Sequence, residues 1–391
     1  MACFQILHTD RSCDARRGVL TTPHGNVQTP AFMPVGTAGA VKGIMPADLE
    51  NIGAEMILAN TYHLLLRPGV DCIEKLGGLH KFMAWDKPIL TDSGGYQLFS
   101  LGARSDNSSG NHIDTAGLCS IDDEGVRFKS HIDGQEGYLD AEIATAMQNK
   151  LGAEVIMAFD QCPPFPCPRG DLEKAVERTI NWARRSRRAH KNPQQLQFGI
   201  IQGGIDVELR RQCSAELVEL DFDGYAMGGL SVGEGHHNMV RTLVRTCRFL
   251  PEAGPRYLMG VGMPEDIIAA VKQGVDMFDC VLPTRNGRNA YAFTRDGPVR
   301  MRNSIHADSS EPVEADCDCY CCRNFTRAAV RHFFNVGEMI GPILLSLHNL
   351  RFYQRLMAEI RKAIDDDVFP DWADTRLKEY NWGCEPEKSS N

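Results

Sequence analysis

Short apolar runs alternate with amphipathic stretches through most of the chain. The runs are nearly continuous in hydrophobic residues, which is typical of strands buried on both faces of a parallel sheet. The stretches between them carry apolar residues at helical spacing, and in 171–190 the residues Leu172, Val176 and Ala183 form one stripe. The eight strand candidates are residues 30–36, 55–61, 88–94, 154–161, 197–203, 224–229, 256–262 and 276–283.

Eight strands that alternate with helices predict an α/β protein built on a (β/α)8 TIM barrel. An open doubly wound sheet is the alternative, but no Gly-x-Gly-x-x-Gly motif follows the first strand to support it. We expect the barrel to occupy residues 1–305, with β excursions at the N-terminus and over 101–134. The first part of the second excursion is polar and rich in Ser, Asn and Gly, which indicates a loop above the third strand.

A cysteine-rich segment follows the barrel. We expect a zinc-binding subdomain over 306–350, inserted near the C-terminus, then a final helix over 351–364 that packs on the barrel. The remainder, 365–391, is acidic and polar and predicts a loose tail.

Four of the 14 cysteines lie within residues 317–322. A C-x-C-x-x-C turn can present three thiolates to one ion, and His348 on the following helix is the best candidate for a fourth ligand. Three thiolates and one imidazole saturate tetrahedral zinc, so such a site would be structural. The spacing selects Cys322, but the adjacent Cys321 keeps the identity of the third thiolate open at this point.

Composition and charge narrow the class of protein. Hydrophobic residues make up 43% and charged residues 24%, which is ordinary for a globular protein. No apolar run approaches the ~20 residues that span a bilayer, and no secretory signal is visible, so we expect no membrane partner. Scattered cysteines with one tight cluster indicate a reducing, cytoplasmic location. Because the net charge is −9, any electrostatic attraction to nucleic acid must come from a local basic patch.

Three acids and one amide stand at predicted strand ends, where (β/α)8 barrels carry their chemistry. They are Asp92, Asp160, Asp279 and Gln202. Asp160 and Asp279 lie in apolar sequence, where an ionised group is costly to bury without a purpose. The pattern predicts glycosidic chemistry, in which one carboxylate attacks an anomeric carbon and another transfers protons. A zinc-dependent amidohydrolase on the same barrel would need histidines at these strand ends, and they carry none.

A basic strip follows the last of these acids. Residues 281–305 contain five arginines and one acid, and Arg285 and Arg288 come soon after Asp279. This arrangement predicts a phosphate backbone held beside the site. The arginines within 184–188 are interpreted instead as a solvated helix face.

Long motifs in a fixed order resemble those of the tRNA-guanine transglycosylase family over residues 4–364. They are TDSGGYQ at 91–97, MAFD at 157–160, GIIQGG at 199–204, GGLSVGE at 228–234, YLMGVG at 257–262 and DMFDCVLPTR at 276–285, together with the Cys/His set. The resemblance implies exchange of guanine at the wobble position of GUN anticodons in tRNA for preQ1 (7-aminomethyl-7-deazaguanine), in queuosine biosynthesis. It also implies a covalent Asp–ribose intermediate and no redox cofactor.

The resemblance assigns roles residue by residue. Asp279 is the nucleophile and Asp92 the general acid/base. The implied base-binding residues are Asp92, Ser93, Tyr96, Asp160, Gln202, Gly229, Leu230, Glu234 and Met259. The implied RNA contacts are Val261, Gly262, Thr284, Arg285 and Arg288. One structural zinc ion per chain is implied on Cys317, Cys319, Cys322 and His348.

Within the family, bacterial members use preQ1 and eukaryotic members use queuine. Cys162 and Val232 resemble the bacterial type, since Val232 narrows a pocket that must hold the bulkier queuine ring. Two features depart from the bacterial pattern: Ser231 replaces a common Ala, and 101–118 is longer than usual. A queuine-inserting enzyme of eukaryotic type remains the alternative. A non-catalytic RNA-binding subunit of the same fold would be expected to lose its nucleophile, which is present here.

Bacterial members of this family are implied to be homodimers that meet through the zinc subdomain. Phe325, His332 and Phe333 are candidates for aromatic contact area there. Packing beneath the zinc subdomain is the other interpretation of these three side chains.

Overall fold

The computed structural model describes residues 3–102 and 119–379, with side chains outside 100–102. The longer segment expected at 101–118 and the end of the predicted tail, 380–391, lie essentially outside the described residues. The described strands are β1 (Phe4–Thr9), β2 (Arg16–Thr22), β3 (Gly25–Thr29), β4 (Ala31–Gly36), β5 (Ile57–Ala59), β6 (Ile89–Thr91), β7 (Cys119–Ile121), β8 (Val126–Lys129), β9 (Glu136–Leu139), β10 (Val155–Met157), β11 (Leu196–Ile201), β12 (Gly224–Met227), β13 (Arg256–Leu258), β14 (Met277–Cys280), β15 (Tyr291–Thr294) and β16 (Gly297–Arg300).

Helices follow or precede most of these strands. The described α-helices are α1 (Pro46–Asn51), α2 (Thr61–Leu66), α3 (Val70–Lys75), α4 (Gly78–Met83), α5 (Gly95–Gly102), α6 (Ala141–Leu151), α7 (Arg169–Ala189), α8 (Val207–Val218), α9 (His236–Thr246), α10 (Pro264–Val271), α11 (Leu282–Arg288), α12 (Tyr320–Asn324), α13 (Arg327–Val336), α14 (Ile340–Asp365) and α15 (Phe369–Glu379). Among the described residues, none of these helices is both long and apolar enough to cross a lipid bilayer.

Eight parallel strands close into a barrel in the order β4, β5, β6, β10, β11, β12, β13 and β14, and β14 pairs with β4. The predicted (β/α)8 fold is therefore confirmed, and each of the eight predicted runs contains one barrel strand or most of it. The observed strands are mostly shorter than the apolar runs. In the third run, for example, pairing ends at Thr91 and the chain then turns at Gly94 with a positive φ of 82°.

The barrel interior is filled by apolar side chains, as in other barrels of this size. Leu58, Leu90, Met157 and Tyr257 belong to one buried cluster inside the strands. Side chains of the N-terminal antiparallel sheet, β1 to β3, join the same cluster, so this sheet packs against the barrel. The excursion predicted over 101–134 contains β7 and β8 of a second antiparallel sheet, and the third strand of this sheet, β9, lies just beyond it.

Helix α14 links the cysteine-rich segment to the barrel. Its 26 residues run without a break through 350 and 351, so one helix carries both His348 and the buried apolar residues toward its C-terminal end. The expected loose tail is wrong for residues 369–379, which form α15. Phe369 is fully buried there, and its N–H donates to Asp10 Oδ2 at 3.1 Å. The acidic composition masked a short apolar stripe of Phe369 and Ala373, which anchors the helix.

Candidate active site

One cavity of about 560 Å³ opens at the carboxyl ends of the barrel strands. It brings together residues that are up to 250 positions apart in the chain, from Val35 to Arg285, because the ends of all parallel strands in a barrel meet at one rim. The predicted site residues that line it are Asp92, Ser93, Tyr96, Asp160, Gln202, Gly229, Leu230, Met259, Asp279 and Arg285.

Asp279 lies in β14 with one carboxylate oxygen held by two donors. The Tyr257 hydroxyl donates to Oδ1 at 2.6 Å, and the Gly260 N–H donates to the same oxygen at 2.7 Å. Burial raises the pKa of Asp279 above its ordinary value, and these two hydrogen bonds oppose that rise. Both of these donors engage Oδ1, and neither of them engages Oδ2.

Asp92 follows β6 and is held from the neighbouring strand end. Its Oδ1 accepts the Thr61 N–H at 2.8 Å, and its Oδ2 accepts Asn60 Nδ2 at 2.5 Å. Burial raises the pKa of Asp92 to about 7, and the negative charge of Asp279 contributes to the rise. The two carboxylates therefore interact electrostatically across the cavity, and Asp92 can exchange protons near neutral pH.

Asp160 and Gln202 form a polar pair at the ends of β10 and β11. Gln202 Nε2 donates to Asp160 Oδ2 at 2.7 Å, and burial raises the pKa of Asp160 to about 6. The amide oxygen of Gln202 is buried and has no hydrogen-bond partner among the described residues. A buried acceptor in this state is costly unless a ligand N–H reaches it.

Glycines at the end of β12 allow the backbone to pass close to that pair. A Cβ on Gly228 would lie 2.5 Å from Gln202 Nε2, and a Cβ on Gly229 would lie 2.4 Å from its Oε1. Gly229 also has a positive φ of 64°, which disfavours other residues. This close approach brings backbone groups of 228–230 to the cavity wall.

Glu234, the one predicted base-binding residue that does not line the cavity, lies behind its wall. Glu234 is buried, and its carboxylate accepts the N–H of Ser231 and, at 2.9 Å, that of Val232. It thereby fixes the loop at Leu230, Ser231 and Val232, and all three of these residues line the cavity.

Of the predicted RNA contacts, only Arg285 lines the cavity. Val261 and Thr284 are buried, and Gly262 packs so closely on Cys280 that a Cβ would lie 2.4 Å from the Cys280 Cβ. Arg288 shares α11 with Arg285, and burial together with the Arg285 charge lowers its pKa. The Nη1 atom of Arg288 is buried without a partner among the described residues.

Three positioning residues escaped the sequence interpretation. Tyr257 and Asn60 contact the two carboxylates directly. Arg210, fully buried, donates to the carbonyls of Ile201, Gly204 and Gly228 and so joins the ends of β11 and β12. Tyr257 belongs to the YLMGVG motif, so its presence was a usable signal, whereas nothing in the sequence marks Asn60 or Arg210.

The cysteine cluster can hold a metal ion. The Sγ atoms of Cys317, Cys319 and Cys322 lie 3.5, 3.7 and 3.3 Å from His348 Nδ1. Tetrahedral zinc bonded to sulfur at ~2.3 Å and nitrogen at ~2.0 Å separates those atoms by roughly 3.6 Å, so the four ligands fit such an ion. Cys321 is buried outside the cluster, which resolves the ambiguity in favour of Cys322.

The orientation of the imidazole also suits a metal. His348 Nε2 lies 2.8 Å from the Phe293 carbonyl oxygen, which fixes the proton on Nε2 and leaves the Nδ1 lone pair directed at the thiolates. The described residues contain one other group of this kind, and neither group lies at the cavity.

Fold and cavity together define a barrel enzyme whose buried carboxylates converge on one pocket. The model of the family described as queuine tRNA-ribosyltransferase matches residues 10–381. A protein named queuine tRNA-ribosyltransferase from Pelotomaculum thermopropionicum is 50% identical over 377 residues, which cover 96% of this chain and 98% of that protein. A protein of the same name from Francisella tularensis subsp. novicida is 48% identical over 366 residues, which cover 94% of this chain and 96% of that protein. The chain belongs to this family and is a pentosyltransferase.

Proposed function

We propose that the protein replaces guanine at the wobble position of GUN anticodons in tRNA with preQ1. The observation that carries this proposal is that Asp92 and Asp279 line one cavity and that the charge of Asp279 contributes to the raised pKa of Asp92. A nucleophile and a proton-transfer group set across one pocket are the arrangement that a double displacement at an anomeric carbon requires.

In the first displacement Oδ2 of Asp279, the oxygen that Tyr257 and Gly260 do not contact, attacks ribose C1′. A C1′–O bond forms while the C1′–N9 bond breaks, and its electron pair leaves with guanine. Asp92 in its protonated form donates the proton that neutralises the leaving base. In the second displacement Asp92 accepts the N9 proton of the incoming base, N9 bonds to C1′, and Asp279 is released. Two inversions give retention at C1′.

The incoming and outgoing bases are recognised by the polar pair at the ends of β10 and β11. The Asp160 carboxylate accepts from the N–H groups of a guanine edge, and the buried Gln202 oxygen is a second acceptor. Tyr96 and Met259 line the same cavity, and in the proposal they enclose the base plane from two sides. Removing the nucleotide from its stack requires such a partner surface.

The preference for preQ1 rests on the far wall of the cavity. Leu230 and Val232 line it, and the backbone carbonyl of Leu230 together with the Glu234 carboxylate behind it would attract a cationic aminomethyl group. Val232 reduces the space for the larger queuine ring. The insertion of queuine is therefore the second candidate.

The basic strip on α11 supports a tRNA partner. Arg285 lines the cavity, and Arg288 lies one turn further along the helix with an Nη1 atom that is buried and has no hydrogen-bond partner in the described part of the chain. These guanidinium groups would bind phosphates of the nucleotides beside the flipped one, and the overall charge of −9 leaves such local contacts to supply the attraction. A cytoplasmic location is part of the proposal and rests on the pattern of scattered cysteines with one tight cluster in the sequence.

The metal is proposed to be structural zinc. Soft thiolates with one imidazole are the ligand set that zinc prefers, and four protein ligands leave no position for a substrate.

A homodimer is proposed through the same region. On the described surface Tyr320, Val336 and Met339 are exposed by 58%, 56% and 79%, and Phe325 stacks edge-on against Phe333 with ring centroids 5.8 Å apart.

The test is incorporation of radiolabelled guanine into unmodified tRNA with a GUN anticodon, with preQ1 and queuine as competing substrates. We expect label in this tRNA, none in a tRNA whose wobble base is changed from G to C, and stronger competition by preQ1. Label at other positions, or none at all, contradicts the proposal. Stronger competition by queuine supports the second candidate.

A further inference from the structure

A cluster of two histidines and one glutamate lies at the end of the barrel remote from the cavity. His24 occupies the turn between β2 and β3, His80 lies in α4, and Glu154 directly precedes β10. Since β10 begins at Val155, Glu154 marks the amino ends of the parallel strands. The carboxylates of the candidate active site follow the opposite, carboxyl ends, so the cluster takes no part in the reaction proposed above.

The carboxylate of this cluster is held in place. Glu154 is 3% exposed, and its Oε2 accepts the Ile89 N–H at 2.7 Å. Its backbone also pairs on both sides, because its N–H donates to the Ile89 carbonyl at 3.0 Å and its carbonyl accepts from the Leu196 N–H at 2.8 Å. A buried carboxylate fixed in this way is a preorganised oxygen ligand.

Both imidazoles direct a ring nitrogen at that carboxylate. His24 Nδ1 lies 2.5 Å from Oε1, and His80 Nε2 lies 3.1 Å from Oε2. The rings stack with centroids 3.9 Å apart and an angle of 17° between their planes. An imidazole binds a metal ion through the lone pair of a ring nitrogen, and each ring here directs one nitrogen at the carboxylate.

The three ligand atoms fit a single ion after a small movement. They all lie within 4.8 Å of one another. Around tetrahedral zinc, nitrogen and oxygen ligands are separated by roughly 3.4 Å, given bonds of ~2.0–2.1 Å. The His24–Glu154 pair is closer than this and must open. His24 can do so because its side chain is 43% exposed on a hairpin turn, and the same exposure gives an ion access from solvent.

We propose that His24, His80 and Glu154 form a second metal site, for a borderline divalent ion such as Zn²⁺, with water completing its coordination. Two imidazoles and one carboxylate are a recognised zinc ligand set. Such an ion would join the β2–β3 turn, helix α4 and the start of β10. It would therefore fasten the N-terminal sheet to the amino end of the barrel.

The proposal is tested by calorimetric titration of Zn²⁺ into full-length protein that already holds one zinc ion per chain. We expect the wild type to bind one further ion, and His24→Ala and His80→Ala to lose this binding. His237→Ala, which removes an exposed histidine on α9, is the matched control and should retain it. Added Zn²⁺ should also raise the melting temperature of the wild type and not that of His24→Ala.

A separate readout distinguishes this site from the cysteine cluster. Co²⁺ bound by nitrogen and oxygen lacks the sulfur charge-transfer absorption that Co²⁺ bound by thiolates shows. Saturable Co²⁺ binding without that absorption, lost in His24→Ala, supports the proposal. If the wild type binds no second ion, or if His24→Ala binds it equally, the cluster is only a hydrogen-bonded clamp and the proposal is wrong. His24 is on the surface, so its replacement keeps the test valid even if His80→Ala fails to fold.

Discussion

Replacing Tyr257 with Phe removes one of the two donors to the proposed nucleophile while keeping the ring in the barrel core. The hydroxyl donates to Asp279 Oδ1 at 2.6 Å, and the Gly260 N–H at 2.7 Å remains after the substitution. The hydroxyl favours the ionised form of Asp279, because a hydrogen bond to a carboxylate stabilises its charge. Its loss should therefore raise the pKa of Asp279 further above the ordinary value.

The size of the effect follows from the strength of such a bond. A hydrogen bond to a charged group contributes about 1.5–3 kcal/mol, so its loss should raise the pKa of Asp279 and, at a given pH below that pKa, lower the ionised fraction by roughly 10- to 100-fold. Asp279 must be ionised to attack C1′. Below its pKa, Tyr257→Phe should therefore be about 10- to 100-fold slower than the wild type, and at higher pH the difference should shrink.

The assay is kcat/KM for guanine exchange measured from pH 5 to pH 9. We expect the acidic limb to move upward in Tyr257→Phe while the basic limb, assigned to protonated Asp92, stays in place. Tyr353→Phe is the control, because its buried hydroxyl donates to the Gly262 carbonyl and not to a carboxylate. A uniform loss of activity with an unmoved acidic limb would refute the reasoning, and so would an equal shift in Tyr353→Phe.

Three further predictions address the other acids and the metal cluster. The fold raises the pKa of Asp92 from 3.8 to about 7, so its contribution to stability is present below pH ~4 and is lost as the pH rises to about 7. Asp92→Asn should therefore gain melting temperature relative to the wild type between pH 4 and pH 8, by an amount equivalent to at most about 4 kcal/mol, and a constant difference would contradict this. Cys322→Ser should lose the bound metal in elemental analysis whereas Cys321→Ser keeps it, and the reverse result would reassign the ligand. Asp160→Ala should weaken guanine binding in a calorimetric titration by at least tenfold with little change in tRNA affinity, whereas equal losses would give Asp160 a structural role.

The barrel was predictable because its signal is repetitive. Each strand is buried on both faces, so it appears as a short apolar run, and eight such runs with helices between them allow few other folds. The ends of the strands were harder to predict from the sequence, since pairing stops where the chain turns at glycines such as Gly94. Helix α15 was missed because two apolar residues, Phe369 and Ala373, are enough to anchor it against the barrel in an otherwise polar sequence.

The cavity was predictable to the extent that strand ends identify it. Asp92, Asp160 and Asp279 each end a recognisable apolar run, and the structure places all three on one cavity. The residues that hold these acids and the neighbouring strand ends in position could not be predicted in this way. Asn60 and Arg210 act through contacts between neighbouring strands, and a single sequence contains no record of which side chains meet across a barrel rim. Burial of Val261 and Thr284 is likewise a consequence of packing.

The most direct measurement of the central claim is capture of a covalent complex between the protein and GUN tRNA on a denaturing gel. We expect the wild type and Asp296→Asn, which changes an exposed acid near the basic strip, to form the complex. Asp279→Asn should form none while it still binds tRNA under native conditions. A denaturation-resistant complex in Asp279→Asn would contradict the assignment of Asp279 as the nucleophile.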